Sequence, residues 1–243
     1  MTEAKTYIAP SLLQPDNHAV LLIDYQYLQL VTACSHNPQG VIAAATLLAQ
    51  GAKLFNVPTL VTTGLAKIQG LVHQVAAVFP DHTPLDRTTL NSFEDPRVVE
   101  WVKKTGKKKL VMGGLWTESC LLMASLSALH AGYEVYIVVD ATSSGSLDSH
   151  NAAVRRMVQA GCIPIAADTY LKELQRDWSR TETAGRCGRF IPRKAPRTAR
   201  LCVGSWISLS WARYSIGSSF RGQVTLYNHL RSHSQAGCDP HER

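Results

Sequence analysis

With 243 residues, 45% of them apolar, the chain is long enough to bury one substantial core and too rich in hydrophobic side chains for wholesale disorder. Its net charge of +7 lies entirely beyond residue 180: residues 1–180 hold 15 Lys and Arg against 15 Asp and Glu, and residues 181–243 hold 10 against 3. The first 180 residues therefore give no electrostatic reason to expect bound nucleic acid, and no apolar run nears the roughly 18 residues that span a bilayer.

Short apolar runs alternate with longer amphipathic stretches. Ala19–Asp24 (Ala-Val-Leu-Leu-Ile-Asp) reads as a strand covered on both faces. A helix is predicted over Val41–Asn56, then a strand over Pro58–Thr62. Gly64–Pro84 is poorly patterned, with a short helix expected around Leu71–Val78. Asp95-Pro96 opens a helix, because Asp suits the N-cap and Pro the first helical position; Gly106 closes it. Leu110–Met112 is a central strand ending in Gly113-Gly114. A helix follows over Ser119–His130, and then a strand over Glu134–Asp140. Asp148–Ala160 is helical, Ile163–Ala166 is the last strand, and Asp168 is expected to cap a final helix through Leu171, Leu174 and Trp178.

This βαβ alternation predicts an α/β fold: a doubly wound, mainly parallel sheet with helices on both faces, a Rossmann-like three-layer arrangement. Residues 1–180 form that domain. Residues 181–243 lose all durable periodicity and read as an atypical basic tail, either disordered or the product of a shifted reading frame. The opening MTEAKTYIAP lacks the layout of a secretory leader, so cytoplasmic residence is expected and the six cysteines are read as free thiols. No pair is spaced as C-x-x-C and the nine histidines are scattered, so no metal and no cofactor are expected.

Ligands of such sheets bind beyond the carboxyl ends of the strands, where Asp24, Leu115–Cys120 and Asp140 fall. Cys120 occupies the first turn of a helix after a central strand, where unpaired amides and the positive dipole end favour a thiolate and can hold an oxyanion. Spacing alone leaves an inert buried cysteine open, since free cysteines are among the most buried residues. Asp24, if partly desolvated, can exchange a proton with a nearby nucleophile. Asp140 has the same layout, so position at a strand end does not distinguish the two. Arg87 lies in a loop rich in turn formers, where it is either solvated or a fixed positive charge. Lys107-Lys108-Lys109 enters a strand from the opposite end and reads as a solvated edge.

Three segments in order, Leu21–Gln26 (LLIDYQ), Asp86–Asp95 (DRTTLNSFED) and Leu110–Cys120 (LVMGGLWTESC), resemble the isochorismatase-like cysteine hydrolases, the YcaC-like branch above all. The likeness continues through Ser125–Leu129, Gly132–Tyr136, Val139–Thr142 and Leu174–Trp178, about residues 15–180. The resemblance implies an Asp–basic–Cys triad that hydrolyses small amides and related C–N bonds through a thioester. Asp24 matches the aspartate, Cys120 the nucleophile and Arg87 the basic member, which is often lysine in this superfamily. It also implies a non-proline cis peptide near Trp116-Thr117, placed beside Cys120 to aim amides at an oxyanion. The metal-binding cluster of the nicotinamidases has no counterpart in Thr62–Ile68, and Cys120 sets the chain apart from true isochorismatases. The partners implied are a small-molecule substrate and further copies of the chain in a homo-oligomer, with no nucleic acid or membrane. A catalytically silent relative serving as a binding or structural subunit is the alternative, given Arg87 and the altered tail.

Overall fold

The aliphatic run after residue 17 forms strand β1 (His18–Ile23), buried at every position as a strand covered on both faces must be. In this computed structural model, which describes residues 8–190, β1 pairs in parallel with β2 (Thr59–Gly64) on one side and β4 (Lys109–Leu115) on the other. β3 (Leu85–Arg87) extends the sheet beyond β2. β5 (Glu134–Ser143) and β6 (Ile163–Ile165) extend it beyond β4. The six strands are all parallel in the order β3-β2-β1-β4-β5-β6, which is the doubly wound sheet expected. Chain order reverses between β1 and β4, and there the connections diverge to leave a crevice.

Alternate side chains of β1 enter two separate cores. Val20 and Leu22 pack with residues from α1 (Tyr27–Thr32), α2 (Pro38–Leu54), α3 (His73–Ala76), α7 (Ala167–Gln175) and α8 (Thr181–Phe190). Ala19, Leu21 and Ile23 pack with residues from α4 (Pro96–Thr105), α5 (Leu122–His130) and α6 (Leu147–Ala160). Helix boundaries follow local chemistry. Asp95 caps α4 by accepting from the Arg97 N–H at 2.9 Å, Pro96 occupies the first position, and Gly106 ends the helix at φ 66°. Asn37 caps α2 in the same way, through the N–H groups of Gln39 and Gly40.

Several elements differ from the sequence reading. β3 and α1 are too short to display a period. The helix expected at Asp148 starts earlier, capped by Ser146, whose hydroxyl accepts from the Ser149 N–H at 3.1 Å. Asp168 does not cap α7; it sits in the first turn and pairs with Lys172, and Trp178 lies past the helix end, half exposed. Lys109 is no solvated edge: it is buried, with its ammonium among the Pro10 and Leu12 carbonyls and the Tyr136 hydroxyl. Residues 181–190, assigned to the tail, form α8, which buries Ala184 and Cys187. The remainder of that tail, with the frame-shift expectation attached to it, lies outside the described residues. No helix among the described residues is long and apolar enough to cross a membrane.

The Gly113-Gly114 pair is required by close packing. A Cβ on Gly114 would stand 2.7 Å from both Cβ and the carbonyl oxygen of Ile23, and one on Gly113 would stand 2.5 Å from the Tyr25 hydroxyl. The neighbour of Gly114 is backbone of the central strand, so no rotamer change relieves it. Gly114→Ala is expected to lose at least about 2 kcal/mol of stability, at the upper end of overpacking effects, read as a lower urea midpoint at unchanged slope.

Candidate active site

Asp24 follows the last residue of β1 with φ 55°, in the left-handed region that Asp tolerates better than most residues. Its N–H donates to the Thr62 carbonyl at 3.2 Å and its own carbonyl accepts from the Gln26 N–H at 2.7 Å, which turns the chain out of the sheet. The carboxylate is fully engaged. Arg87 Nη2 donates to Oδ2 at 2.7 Å, and the Thr62 hydroxyl donates to Oδ1 at 3.1 Å. Both charged side chains of this ion pair are only 2% exposed. Arg87 is the last residue of β3, so neighbouring strands deliver Asp24, Thr62 and Arg87 to one point at the carboxyl end of the sheet. Nη1 of Arg87 donates to the Thr89 carbonyl, while its Nε is buried without a partner.

Cys120 reaches the same point from β4. The peptide bond between Leu115 and Trp116 is cis, one residue before the position expected. The chain then winds through a π-helical turn, Thr117–Leu121, in which the Leu121 N–H reaches back to the Trp116 carbonyl at 3.3 Å. Cys120 is 3% exposed, with the Ser119 hydroxyl 3.9 Å from the sulfur, and it lies near enough to Asp24 for each to shift the titration of the other. The Trp116 indole N–H is tied to the Gln29 carbonyl at 3.1 Å.

Burial, followed by the Asp24 carboxylate, pushes the Cys120 thiol up to about 11, against a smaller downward pull from Arg87. Burial also raises Asp24 above the usual carboxylate range, opposed by Arg87, Cys120 and Thr62. The thiolate expected from the helix start is therefore overridden by desolvation. The proton rests on sulfur, beside a carboxylate made more basic than an exposed one.

The structure brings together Asp24, Arg87 and Cys120, with Trp116 and Thr117 on the turn. Asp140 stays apart: it is exposed, and its carboxylate accepts from the Ala167 N–H at 2.9 Å to cap α7. Thr62 and Gln26 were missed. Gln26 is fully buried, and its amide accepts from Gly64 N–H at 2.7 Å while donating to the carbonyls of Gly64 and Gln69, which fastens the loop after β2. A glutamine two residues past a strand-end Asp was a weak signal; a threonine inside a strand was none. A cavity of about 500 Å³ lined by Val61, Thr63, Leu71, Val75 and Phe79 lies off the other face of β2 and includes none of the triad. Among the described residues no three His, Cys, Asp or Glu side chains converge as metal ligands.

Removing Arg87 leaves an uncompensated buried carboxylate. Arg87→Met is expected to lose about 3–5 kcal/mol at pH 8. The sign of its pH dependence follows from linkage. Folded Asp24 holds its proton to higher pH than the unfolded chain does, so stability is lost as pH rises through that interval. Without the guanidinium the interval widens, and urea midpoints of the variant fall more steeply than those of the parent as pH rises above the usual carboxylate range.

Residues 18–169 match the isochorismatase domain model. The chain is 33% identical over 169 residues to the probable hydrolase YcaC of Escherichia coli, covering 68% of this chain and 81% of that protein. The crystal structure of the E. coli YcaC gene product, described as an octameric hydrolase of unknown specificity, superposes with a TM-score of 0.74 at 31% identity, covering 85% of this chain and all of that one. YcaC from Pseudomonas aeruginosa, solved with hexane-2,5-diol and covalent acrylamide, gives 0.74 at 29% identity, covering 82% and 98%. The chain belongs to the isochorismatase family of hydrolases, on its YcaC-like branch.

Proposed function

We propose that this protein is a cysteine hydrolase that cleaves a small amide or related C–N bond through a thioester, with Cys120 as nucleophile. The observation that carries this reading is the convergence of the buried Cys120 thiol with the buried Asp24 carboxylate, which Arg87 holds at 2.7 Å. Asp24 takes the thiol proton as sulfur attacks the carbonyl carbon. The resulting oxyanion is received by backbone amides of the turn around Thr117 and Cys120, as at other helix starts. Collapse breaks the C–N bond, and the departing amine carries away the proton held by Asp24. Water then attacks the thioester, giving its proton to Asp24; the carboxylic acid leaves and the proton returns to sulfur.

Arg87 supplies a fixed charge and no proton, because a guanidinium does not deprotonate in this range. Its charge opposes the effect of burial on Asp24 and favours the carboxylate form that acts as a base. The burial of Cys120 restricts the substrate to a small molecule. Covalent acrylamide on the P. aeruginosa relative supports this reading, since acrylamide is a small amide bearing a carbon that thiolates attack. The octamer of the E. coli relative supports a homo-oligomeric assembly for this chain as well.

Acrylamide at pH 7.5 is expected to add to Cys120 and to no other buried cysteine, as read by intact mass and peptide mapping. Cys120→Ser abolishes the adduct. Asp24→Asn slows it by about 100-fold or more, the usual reach of general base catalysis. In that variant the rate then climbs with pH, because hydroxide alone must remove a thiol proton that burial still holds. Capture of equal rate in Asp24→Asn and the parent at pH 7.5 would reject Asp24 as the base.

A further inference from the structure

The turn that carries Cys120 is braced by a chain of hydrogen bonds whose direction can be assigned. The Thr142 hydroxyl lies 2.6 Å from the Gly114 carbonyl, which can only accept, so Thr142 spends its proton there. Thr142 therefore accepts from the Thr117 hydroxyl at 2.7 Å. With its proton committed, Thr117 must in turn accept from Nδ1 of His150 at 3.0 Å. The imidazole thus carries its proton on Nδ1, and the chain runs from α6 through the π-helical turn and β5 to β4, closing around the Leu115–Trp116 bond.

Thr117, Thr142 and His150 are all buried, and His150 stacks edge-on against His36 with ring centroids 4.4 Å apart. Ser35 fixes His36 through its Nδ1 at 2.9 Å, and the Ser144 N–H donates to the Ser35 hydroxyl at 2.8 Å. Burial and the neighbouring His36 push the His150 imidazole down, against Glu118, so the ring is neutral around pH 7. Neither histidine touches Asp24, Arg87 or Cys120 through any of these bonds.

We propose that His150 is a positioning residue for the reaction: its Nδ1–H, through Thr117, holds the turn that places the Cys120 sulfur and the oxyanion-facing amides. The proposal rests on the cysteine-hydrolase reading above. A misplacement of the turn leaves substrate entry intact and slows the step in which negative charge builds on the amide oxygen. Addition of a thiolate to acrylamide develops that same charge, so the probe reports on the turn without a known substrate.

The test is the saturation kinetics of acrylamide addition to Cys120 at pH 7.5 in the full chain, for the parent, His150→Leu, His150→Asn and His150→Gln. His150→Leu is expected to lower the limiting rate about tenfold or more while the half-saturating concentration stays within about twofold. His150→Asn places an amide N–H where Nδ1 was and is expected to return the limiting rate to within about threefold of the parent. His150→Gln, whose amide projects one carbon further, is expected to remain as slow as Leu. Should His150→Leu fail to fold, the Asn and Gln variants decide: unequal limiting rates support the proposal and equal rates overturn it. A parent that reacts at Cys120 and a folded His150→Leu that reacts equally fast overturn the proposal alone. A parent that takes no adduct at Cys120 overturns the hydrolase reading and this inference with it.

Discussion

Two opposite charges, Asp24 and Arg87, are buried together at the carboxyl end of a parallel sheet, and much of the local architecture follows from that. An isolated carboxylate in so dry a place would take up a proton, and an isolated guanidinium would be expelled. Their mutual 2.7 Å contact offsets part of the desolvation cost, and the sheet must offset the rest. The contact requires β3 to lie in register beyond β2, because only then does its last residue reach across Thr62 to the end of β1. It also requires the chain to leave β1 through a left-handed residue, so that the carboxylate turns back toward its partner. Arginine suits this position better than a point charge, since its planar fork serves Asp24 with one nitrogen and the Thr89 carbonyl with another.

The same desolvation sets the chemistry of the sulfur. Cys120 lies at a helix start, which favours a thiolate, but its burial and the adjacent carboxylate outweigh the amide dipoles. A resting thiol is inert toward most electrophiles and toward oxidation. Under the proposed mechanism it becomes a nucleophile when a carbonyl arrives close enough to accept sulfur while Asp24 accepts the proton.

How much of this was legible in the sequence depends on the range of the interaction that fixed each part. The sheet core was legible because Ala19–Ile23 and Leu110–Met112 are continuous apolar runs, and α4 because Asp95, Pro96 and Gly106 carry its cap signals locally. β3 was not, since three residues contain no period and its pairing with β2 is settled by the Arg87 contact 63 residues away in sequence. Asp24 and Asp140 looked alike because their difference is tertiary: one meets a guanidinium, the other a helix start. Lys109 was misread for the same reason, as the carbonyls that receive it come from residues 10 and 12. His150 did carry a signal, a histidine on the apolar stripe of α6 with Ala153 and Met157, although nothing local said what it would meet. α8 was lost because Gly, Arg and Cys dilute a helical face only ten residues long.

The order of the strands has a consequence for how the site comes into being during synthesis. Asp24, Thr62, Arg87 and Cys120 are all supplied by β1 to β4 and the turn that follows, within the first half of the polypeptide. Thr142 and His150, which brace that turn, belong to the second half. A ribosome adding about 5–20 residues per second therefore exposes the reactive groups some seconds before their supports exist. Until β5 and α6 dock, the nascent chain holds Cys120 on an unbraced segment, and the final placement of the sulfur arrives with the closing elements of the fold.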